Sequence, residues 1–236
     1  MRSRGFTLVE LLTVIGISVA LIGLLLPALT RAWAASHQLS CASNLHQWGV
    51  AVNEYALEWQ QWLPRRGQGQ QPTTSITRPD DWFNALPTTL HETQYMDLVA
   101  AGQTPRVGDR SIWICPEAPD VQSGYLFAYG MNMWLSTEIA AQPDRMDRVG
   151  PISTMVFMAD APSGYCSVLP YSASAAFNPA ARHSGRVNVA FLDGHVTAVL
   201  GSEIAATFAT EISGGTTNPP LLEMRWIVPN SAWPGP

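Results

Sequence analysis

Lysine is absent from this 236-residue chain, and charged residues of every kind are scarce. All thirteen basic residues are arginines, and charged side chains make up 13% of the sequence, against roughly a quarter in an average soluble protein. The longest basic run is Arg65-Arg66, and the formal net charge is −5. A chain without a basic patch lacks the electrostatic footprint of nucleic-acid binding, so direct binding to nucleic acid is not expected.

Signatures of catalysis are missing as well. The sequence contains no GxSxG, no HExxH and no Walker-type phosphate loop. His37 and His46 lie nine residues apart, too far to share a metal-ligating helical turn, and His91 stands alone beside Glu92. These absences favour a protein that is not an enzyme.

The one long apolar run occupies residues 6–29, and its only charged residue is Glu10. As a helix with about 1.5 Å of rise per residue, a run of this length crosses a hydrocarbon core of about 30 Å. Arg2 and Arg4 precede it, and basic residues stay on the cytoplasmic side. The pattern predicts a single-pass membrane protein with a cytoplasmic N-terminus and an extracytoplasmic head.

Gly5 stands before the apolar run, whereas an ordinary secretory signal carries its small residues after it. Cleavage behind Gly5 removes a leader of residues 1–5 and leaves Phe6 at the start of a permanent hydrophobic helix. A carboxylate at Glu10 costs a few kcal/mol inside such a helix and calls for a partner. The α-amino group of Phe6 in a neighbouring, axially shifted copy is a suitable cation, although a plain membrane anchor stays open as the alternative.

Gly5 followed by Phe6-Thr7-Leu8-Val9-Glu10, behind a basic leader, resembles the signature of type IV prepilins. The resemblance implies that prepilin peptidase cuts between Gly5 and Phe6, that Phe6 is N-methylated, and that Glu10 guides assembly with copies of itself or with other pilins and pseudopilins. It places the chain in the inner membrane, from which it enters an envelope or surface filament. Loss of the leader arginines takes the net charge from −5 to −7.

An amphipathic pattern extends the helix beyond the apolar run. Apolar residues recur at alternating steps of four and three, which is typical of one helix face: Cys41, Leu45, Trp48, Val52, Tyr55, Trp59 and Trp62. The pattern predicts one helix over residues 6–63, about 87 Å long. Its second half is expected to pack on a head formed by residues 64–236.

The head is predicted to contain short helices at 81–86 and around 90–101, followed by an antiparallel sheet. Predicted strands cover 111–115, 125–129, 154–159 and 186–200, with a weaker one at 223–228. The strongest local signal is Asp193-Gly194 between two β-rich runs, which is typical of a two-residue hairpin turn with both residues at positive φ. That register pairs Phe191 with Val196 and turns the side with Val187 and Val189 towards the long helix.

His183, with Asp193 and Gly194 after nine intervening residues, resembles the motif of the prepilin-type H-x9-DG family. Segments 41–55, 114–116 and 129–132 resemble other blocks of that family. The fold class expected from pattern and resemblance together is α+β and pilin-like: a long N-terminal α-helix packed on a small antiparallel β-sheet head.

Three cysteines, Cys41, Cys115 and Cys166, allow at most one disulfide within the chain. The favoured pair is Cys41–Cys115, because each lies on a predicted helix or strand while Cys166 lies in a turn region. A buried thiol is the alternative for each, and none shows zinc-ligand spacing.

Four side chains near the hairpin are candidate ligands of a divalent metal: Asp160, His183, Asp193 and His195. The histidines suit zinc or nickel better than calcium. The favoured alternative to a metal site is that Asp193 serves the turn, that His183 donates a hydrogen bond, and that the protein has no cofactor.

The function predicted from these patterns is that of a structural subunit in a type IV pilus-like or type II secretion pseudopilus-like filament. Two other functions stay open. One is a membrane-anchored, non-polymerising binding module with an extracytoplasmic head, and the other is a metal-dependent envelope enzyme.

Overall fold

The computed structural model describes residues 7–67, 76–118, 127–135, 145–162, 164–170, 178–212 and 224–226. Gly5 and Phe6, the predicted processing residues, lie outside this part of the chain. So do residues 125–126, 223 and 227–228 of the strands predicted at 125–129 and 223–228.

A single long helix, α1, runs from Leu8 to Glu58 and measures about 77 Å. Thr7 caps its N-terminus. The helix ends five residues before the predicted boundary because Gln60 and Gln61 adopt positive φ angles of 54° and 71°, which no right-handed helix accommodates. The predicted long N-terminal helix is therefore confirmed, with a shorter C-terminal end.

The two halves of α1 meet different surroundings. From Leu8 to Leu29 every large apolar side chain is exposed. The predicted apolar stripe is buried in the second half through Tyr55, but Trp59 at the end of the helix is 57% exposed. The head thus packs on the second half of the helix, and the first half extends beyond it.

The head contains short helices followed by a five-stranded sheet. In chain order its elements are α2 (Trp82–Ala85), a 3₁₀ turn (Pro87–Leu90), α3 (Tyr95–Ala100), β1 (Tyr129–Asn132), 3₁₀ turns at Met133–Leu135 and Met146–Arg148, β2 (Val156–Asp160), β3 (Ser167–Val168), β4 (Arg186–Phe191), β5 (Val196–Leu200) and α4 (Gly201–Ile212). The strand order is β3-β1-β2-β4-β5.

The sheet is mixed, so the predicted all-antiparallel sheet is wrong. β1 pairs antiparallel with β2 and parallel with β3. The parallel pair arises because the chain turns back after β2 and runs along the far edge of β1, in the same direction as β1. The fold is nevertheless α+β, as expected.

Of the strands predicted in the head at 154–159 and 111–115, one is confirmed and one is wrong. The strand predicted at 154–159 is β2, whereas 111–115 forms turns instead of a strand. There the side-chain amide of Asn44 donates to the carbonyl oxygens of Ser111 and Ile114, so a helix side chain serves these groups in place of a neighbouring strand. Helix α4 was not predicted.

The hairpin of β4 and β5 is present, but its predicted register is wrong by one residue. Val196 pairs with Ala190 instead of Phe191. Only Gly194 of the expected turn has positive φ, at 90°. Phe191 N–H donates to the carbonyl of His195, and Gly194 N–H donates to that of Phe191, which closes a three-residue loop.

The face of the hairpin that contacts α1 also differs from the prediction. Ala190, Leu192 and Val196 pack in the core shared with α1. The side with Val187, Val189 and Phe191 packs instead with Ile204 and Phe208 of α4. The sheet therefore has two buried faces, and the unpredicted α4 covers the one that had been assigned to the long helix.

Candidate functional site

Glu10 lies in the first turn of α1 and forms a reciprocal capping box with Thr7. Its Oε2 accepts from the Thr7 backbone N–H at 2.9 Å and from the Thr7 hydroxyl at 2.7 Å. The Glu10 N–H donates in return to the Thr7 hydroxyl at 3.3 Å. The carboxylate therefore stabilises the exposed N-terminus of its own helix, where negative charge is favoured.

Glu10 is surrounded by apolar surface. The neighbouring Leu8 is 80% exposed and Leu12 is 66% exposed. Within the described ranges, α1 is the one helix that is long and apolar enough to cross a membrane, judged by length and composition. The carboxylate at Glu10 is thus attached to a rod that water solvates poorly.

The two ends of the H-x9-DG segment contact different parts of the molecule. At its C-terminal end, the Asp193-Gly194 turn packs on α1 at Gly49. A Cβ atom on Gly49 would lie 2.8 Å from the Gly194 Cα, so the approach requires glycine. His46 Nδ1 lies 2.8 Å from the Gly194 carbonyl oxygen, and Asn53 donates to the carbonyl of Leu192 at 2.8 Å. This end of the motif fixes the hairpin to the helix.

His183 lies at the N-terminal end of the segment, before a tight turn. Ser184 and Gly185 have φ angles of 53° and 81°, and His183 and Arg186 exchange backbone hydrogen bonds across them. Such a pair of positive φ angles is the two-residue hairpin turn that had been predicted at Asp193-Gly194. The turn places the His183 ring in the core, where it is 3% exposed.

The ring of His183 lies between two carboxylates and a sulfur atom. Its Nδ1 is 3.0 Å from Glu117 Oε2. Its Nε2 is 3.7 Å from Asp160 Oδ2 and 3.5 Å from Cys115 Sγ. Burial lowers the pKa of His183 and the Glu117 carboxylate opposes this shift, so burial favours the neutral imidazole.

Asp160 is completely buried at the end of β2. Its Oδ2 accepts from the Asn188 backbone N–H at 2.7 Å, and its Oδ1 lies 4.0 Å from Arg182 Nη1. Burial raises the pKa of Asp160 to about 7, although the Asn188 hydrogen bond and the Arg182 charge pull it down. Arg182 is held by the carbonyl oxygens of Ala128 and Ala161.

Cys41 and Cys115 form a disulfide, the pair that the sequence favoured, with 5.2 Å between their Cα atoms. The bond ties α1 to the segment before β1. The reason given for the pair holds only for Cys41, because Cys115 lies in a turn region. Cys166 keeps its thiol and is buried.

The four predicted metal ligands do not converge. Asp160 and His183 lie together, but Asp193 and His195 form a separate pair at the hairpin tip, with Asp193 Oδ1 2.6 Å from His195 Nδ1. The His195 ring stacks on Phe191 at 4.2 Å. Asp193 also accepts from the His195 N–H at 3.1 Å, so it serves the turn as the alternative interpretation held.

Within the described part of the chain, one group of three possible ligands has its ligand atoms within 4.8 Å of one another: Cys41, Cys115 and His183. The group can hold a metal ion, but in this structure two of its members are joined in the disulfide. Sequence reasoning singled out each of the three residues and missed their convergence, because no short spacing connects them.

Two grooves lie near the group of Cys41, Cys115 and His183. The larger, of about 770 Å³, lies between α1 and residues 107–116, with His37, Glu92, Asp109 and Arg110 among its lining residues. The smaller, of about 220 Å³, is lined by residues of α1 together with Glu117, His183 and Ser184. The second groove reaches the His183 side chain from solvent.

Comparison of the chain with family models, with curated proteins and with solved structures finds no match. The prepilin and H-x9-DG resemblances therefore stay predictions based on the motifs quoted above.

Proposed function

We propose that the chain is a structural subunit of a type IV pilus-like or type II secretion pseudopilus-like filament, held in the inner membrane until it assembles. The observation that carries this proposal is the division of α1. Its second half lies in the core of the head, whereas its first half is an apolar rod with exposed side chains.

The exposed apolar side chains in the first half of α1 require an apolar environment. Fourteen Leu, Ile and Val side chains between Leu8 and Leu29 are more than half exposed. Leaving that many apolar side chains in water costs on the order of 20–40 kcal/mol. In the membrane, lipid chains surround these side chains. In a filament core, the same helix segments of neighbouring copies bury them. The proposal uses both environments in succession.

Glu10 supplies the specificity that apolar burial lacks. In the single chain both of its side-chain hydrogen bonds from Thr7 go to Oε2. A carboxylate has about four acceptor positions, so Oε1 can accept the amine of a neighbouring subunit that begins at Phe6. A charged pair in an apolar core favours one axial stagger over all others, because other staggers leave the carboxylate without its cation.

The test compares Glu10→Gln with Thr7→Val in a host that carries prepilin peptidase and a filament assembly system. Glutamine can still form the capping box but has no charge, whereas valine removes the capping hydroxyl and leaves Glu10 intact. We expect Glu10→Gln to lower the amount of subunit in sheared, sedimentable filaments by about tenfold or more. Thr7→Val should stay near the wild-type amount.

Membrane fractionation and immunoblotting must show equal amounts of both variants in the membrane pool. If Glu10→Gln yields as much filament as the wild type, the carboxylate does not guide assembly and the proposal loses its main support. If Thr7→Val fails as severely as Glu10→Gln, the role of Glu10 is helix capping.

A membrane-anchored binding module is the second candidate, favoured by the larger groove. Arg110 gives this groove a cation, and Glu92 and Asp109 give it two acids. If the protein is such a binding module, Glu10→Gln leaves ligand binding intact, whereas Arg110→Ala, which alters the groove alone, abolishes ligand binding. The two variants therefore separate the two functions.

A further inference from the structure

We propose that Cys41, Cys115 and His183 form a zinc site in the dithiol form of this chain, with Asp160 as the fourth ligand. Oxidation replaces the site with the Cys41–Cys115 disulfide. The proposal does not depend on filament assembly, because all four residues lie in the head or in the half of α1 that packs on it.

The separations between the ligand atoms fit one zinc ion. Tetrahedral zinc with bonds of about 2.3 Å to sulfur and 2.0–2.1 Å to nitrogen places these two ligand atoms about 3.5 Å apart. The distance from Cys115 Sγ to His183 Nε2 is 3.5 Å. Reduction lets the two sulfur atoms move apart to the roughly 3.8 Å that two thiolates of one zinc adopt.

His183 has a carboxylate close to the ring nitrogen on the side away from the cysteines. Its Nδ1 lies 3.0 Å from Glu117 Oε2, which favours the tautomer with the proton on Nδ1. The unprotonated Nε2 is then the nitrogen that lies 3.5 Å from Cys115 Sγ. A carboxylate behind the imidazole is the usual outer partner of a zinc-ligating histidine.

Asp160 offers the remaining ligand, and its carboxylate must move towards the sulfur atoms on reduction, because it lies outside the group whose ligand atoms are within 4.8 Å of one another. Its Oδ2 is 3.7 Å from His183 Nε2, close to the separation of about 3.3–3.5 Å for two such ligands. Among the described residues its fully buried Oδ1 has no hydrogen-bond partner, so the carboxylate has unused acceptor capacity. Two thiolates, one carboxylate and Zn²⁺ leave a net charge of −1, and Arg182, 4.0 Å from Asp160, neutralises it.

Zinc binding by the reduced chain requires no further reactant. Two thiols bind Zn²⁺ as thiolates and release two protons, and His183 coordinates as the neutral imidazole through Nε2. When a disulfide compound oxidises the site, it takes two electrons from the two thiolates and two protons from solvent and becomes two thiols. The Cys41–Cys115 bond forms and Zn²⁺ leaves. The groove along Gln38, Glu117 and Ser184 is the route for the ion.

The test uses the full-length chain in detergent, reduced under argon or oxidised with glutathione disulfide. Each sample receives an equivalent of zinc chloride, is desalted and is measured for zinc by mass spectrometry. We expect about one zinc per reduced chain and less than about a tenth as much in the oxidised chain. Cobalt in place of zinc should give the charge-transfer absorption of thiolate ligands.

Variants locate the site. Glu117→Gln, at a side chain that is 23% exposed, should weaken zinc binding by about 10–100-fold against a chromophoric chelator. His183→Ala should weaken it at least as much. His195→Ala and Cys166→Ser are matched controls outside the cluster and should bind zinc like the wild type.

The proposal is overturned if the reduced chain binds no zinc, or if reduced and oxidised chains bind it equally. Retention of zinc by a Cys41→Ser, Cys115→Ser double variant also overturns it. If the reduced, metal-free chain loses its resistance to protease, zinc must restore that resistance, and failure to do so refutes the site.

Discussion

Gly49 is the position at which helix α1 and the hairpin turn come closest, and Gly49→Ala measures what that approach contributes. In an exposed helix, glycine to alanine stabilises by about 1 kcal/mol. Here the new Cβ atom would lie 2.8 Å from the Gly194 Cα and 3.2 Å from its carbonyl oxygen. Both neighbours are backbone atoms, so no side-chain rotation relieves the clash.

The expected magnitude follows from the distances. Ordinary contact begins near 3.4 Å, so the turn must shift by more than half an ångström. That shift disturbs the contact of His46 with the Gly194 carbonyl. Overpacking of this kind costs about 1–3 kcal/mol, and after the gain of about 1 kcal/mol in helix propensity the net loss is about 0–2 kcal/mol.

The assay is urea unfolding of the full-length chain in detergent, followed by tryptophan fluorescence, because Trp48 and other buried tryptophans report on the head. Ser43→Ala is the matched control, since it places alanine at an exposed site on the same helical stretch. We expect Ser43→Ala to be neutral or slightly stabilising. If Gly49→Ala stabilises the head as Ser43→Ala does, the close approach does not limit this position and the reasoning is wrong.

Two further predictions concern buried polar groups. Asn53→Ala removes the donor to the carbonyl oxygens of Gly49 and Leu192 and should cost about 1–3 kcal/mol in urea unfolding. Gln47→Ala is its control, because among the described residues the Gln47 amide bonds to the Ser43 carbonyl of its own helix, and the change should cost less than about 0.5 kcal/mol. The second prediction is a pH dependence: burial raises the pKa of Asp160 to about 7, so the folded chain holds a proton that the unfolded chain loses near pH 4. Stability from this group therefore falls as pH rises from about 4 to about 7, and Asp160→Asn should gain up to about 4 kcal/mol relative to wild type across that range. Equal pH profiles for Asp160→Asn and wild type would contradict the raised pKa of Asp160. A loss of stability in Asn53→Ala no larger than that in Gln47→Ala would contradict the contribution of the Asn53 hydrogen bonds.

The features that sequence reasoning predicted well depend on periodicity over many residues. Helix α1 follows from an apolar run joined to a stripe at steps of four and three, and β2 follows from a short apolar run between turn residues. Helix α4 carried a similar signal, since Ile204 and Phe208 are four residues apart and both are buried. Two apolar residues at this spacing make a much shorter pattern than the stripe of α1, so they are a weak helix signal.

The features that were missed depend on single dihedral angles or on distant contacts. Asp193 does not have the positive φ that a two-residue turn requires, and the observed three-residue loop shifts the register of the whole hairpin. The strand predicted at 111–115 failed because Asn44, far away in sequence, bonds its carbonyl groups. The contact of Cys115 with His183 joins residues 68 positions apart, and only the fold brings them together.

The central claim is that α1 stays on the mature chain as the rod of a filament subunit after the basic leader has been removed. Mass spectrometry of the N-terminal peptide from the native membrane tests this claim most directly. We expect a chain that begins at Phe6 with a methylated amine. A chain that keeps Met1, or one that has lost the whole apolar run, would contradict it.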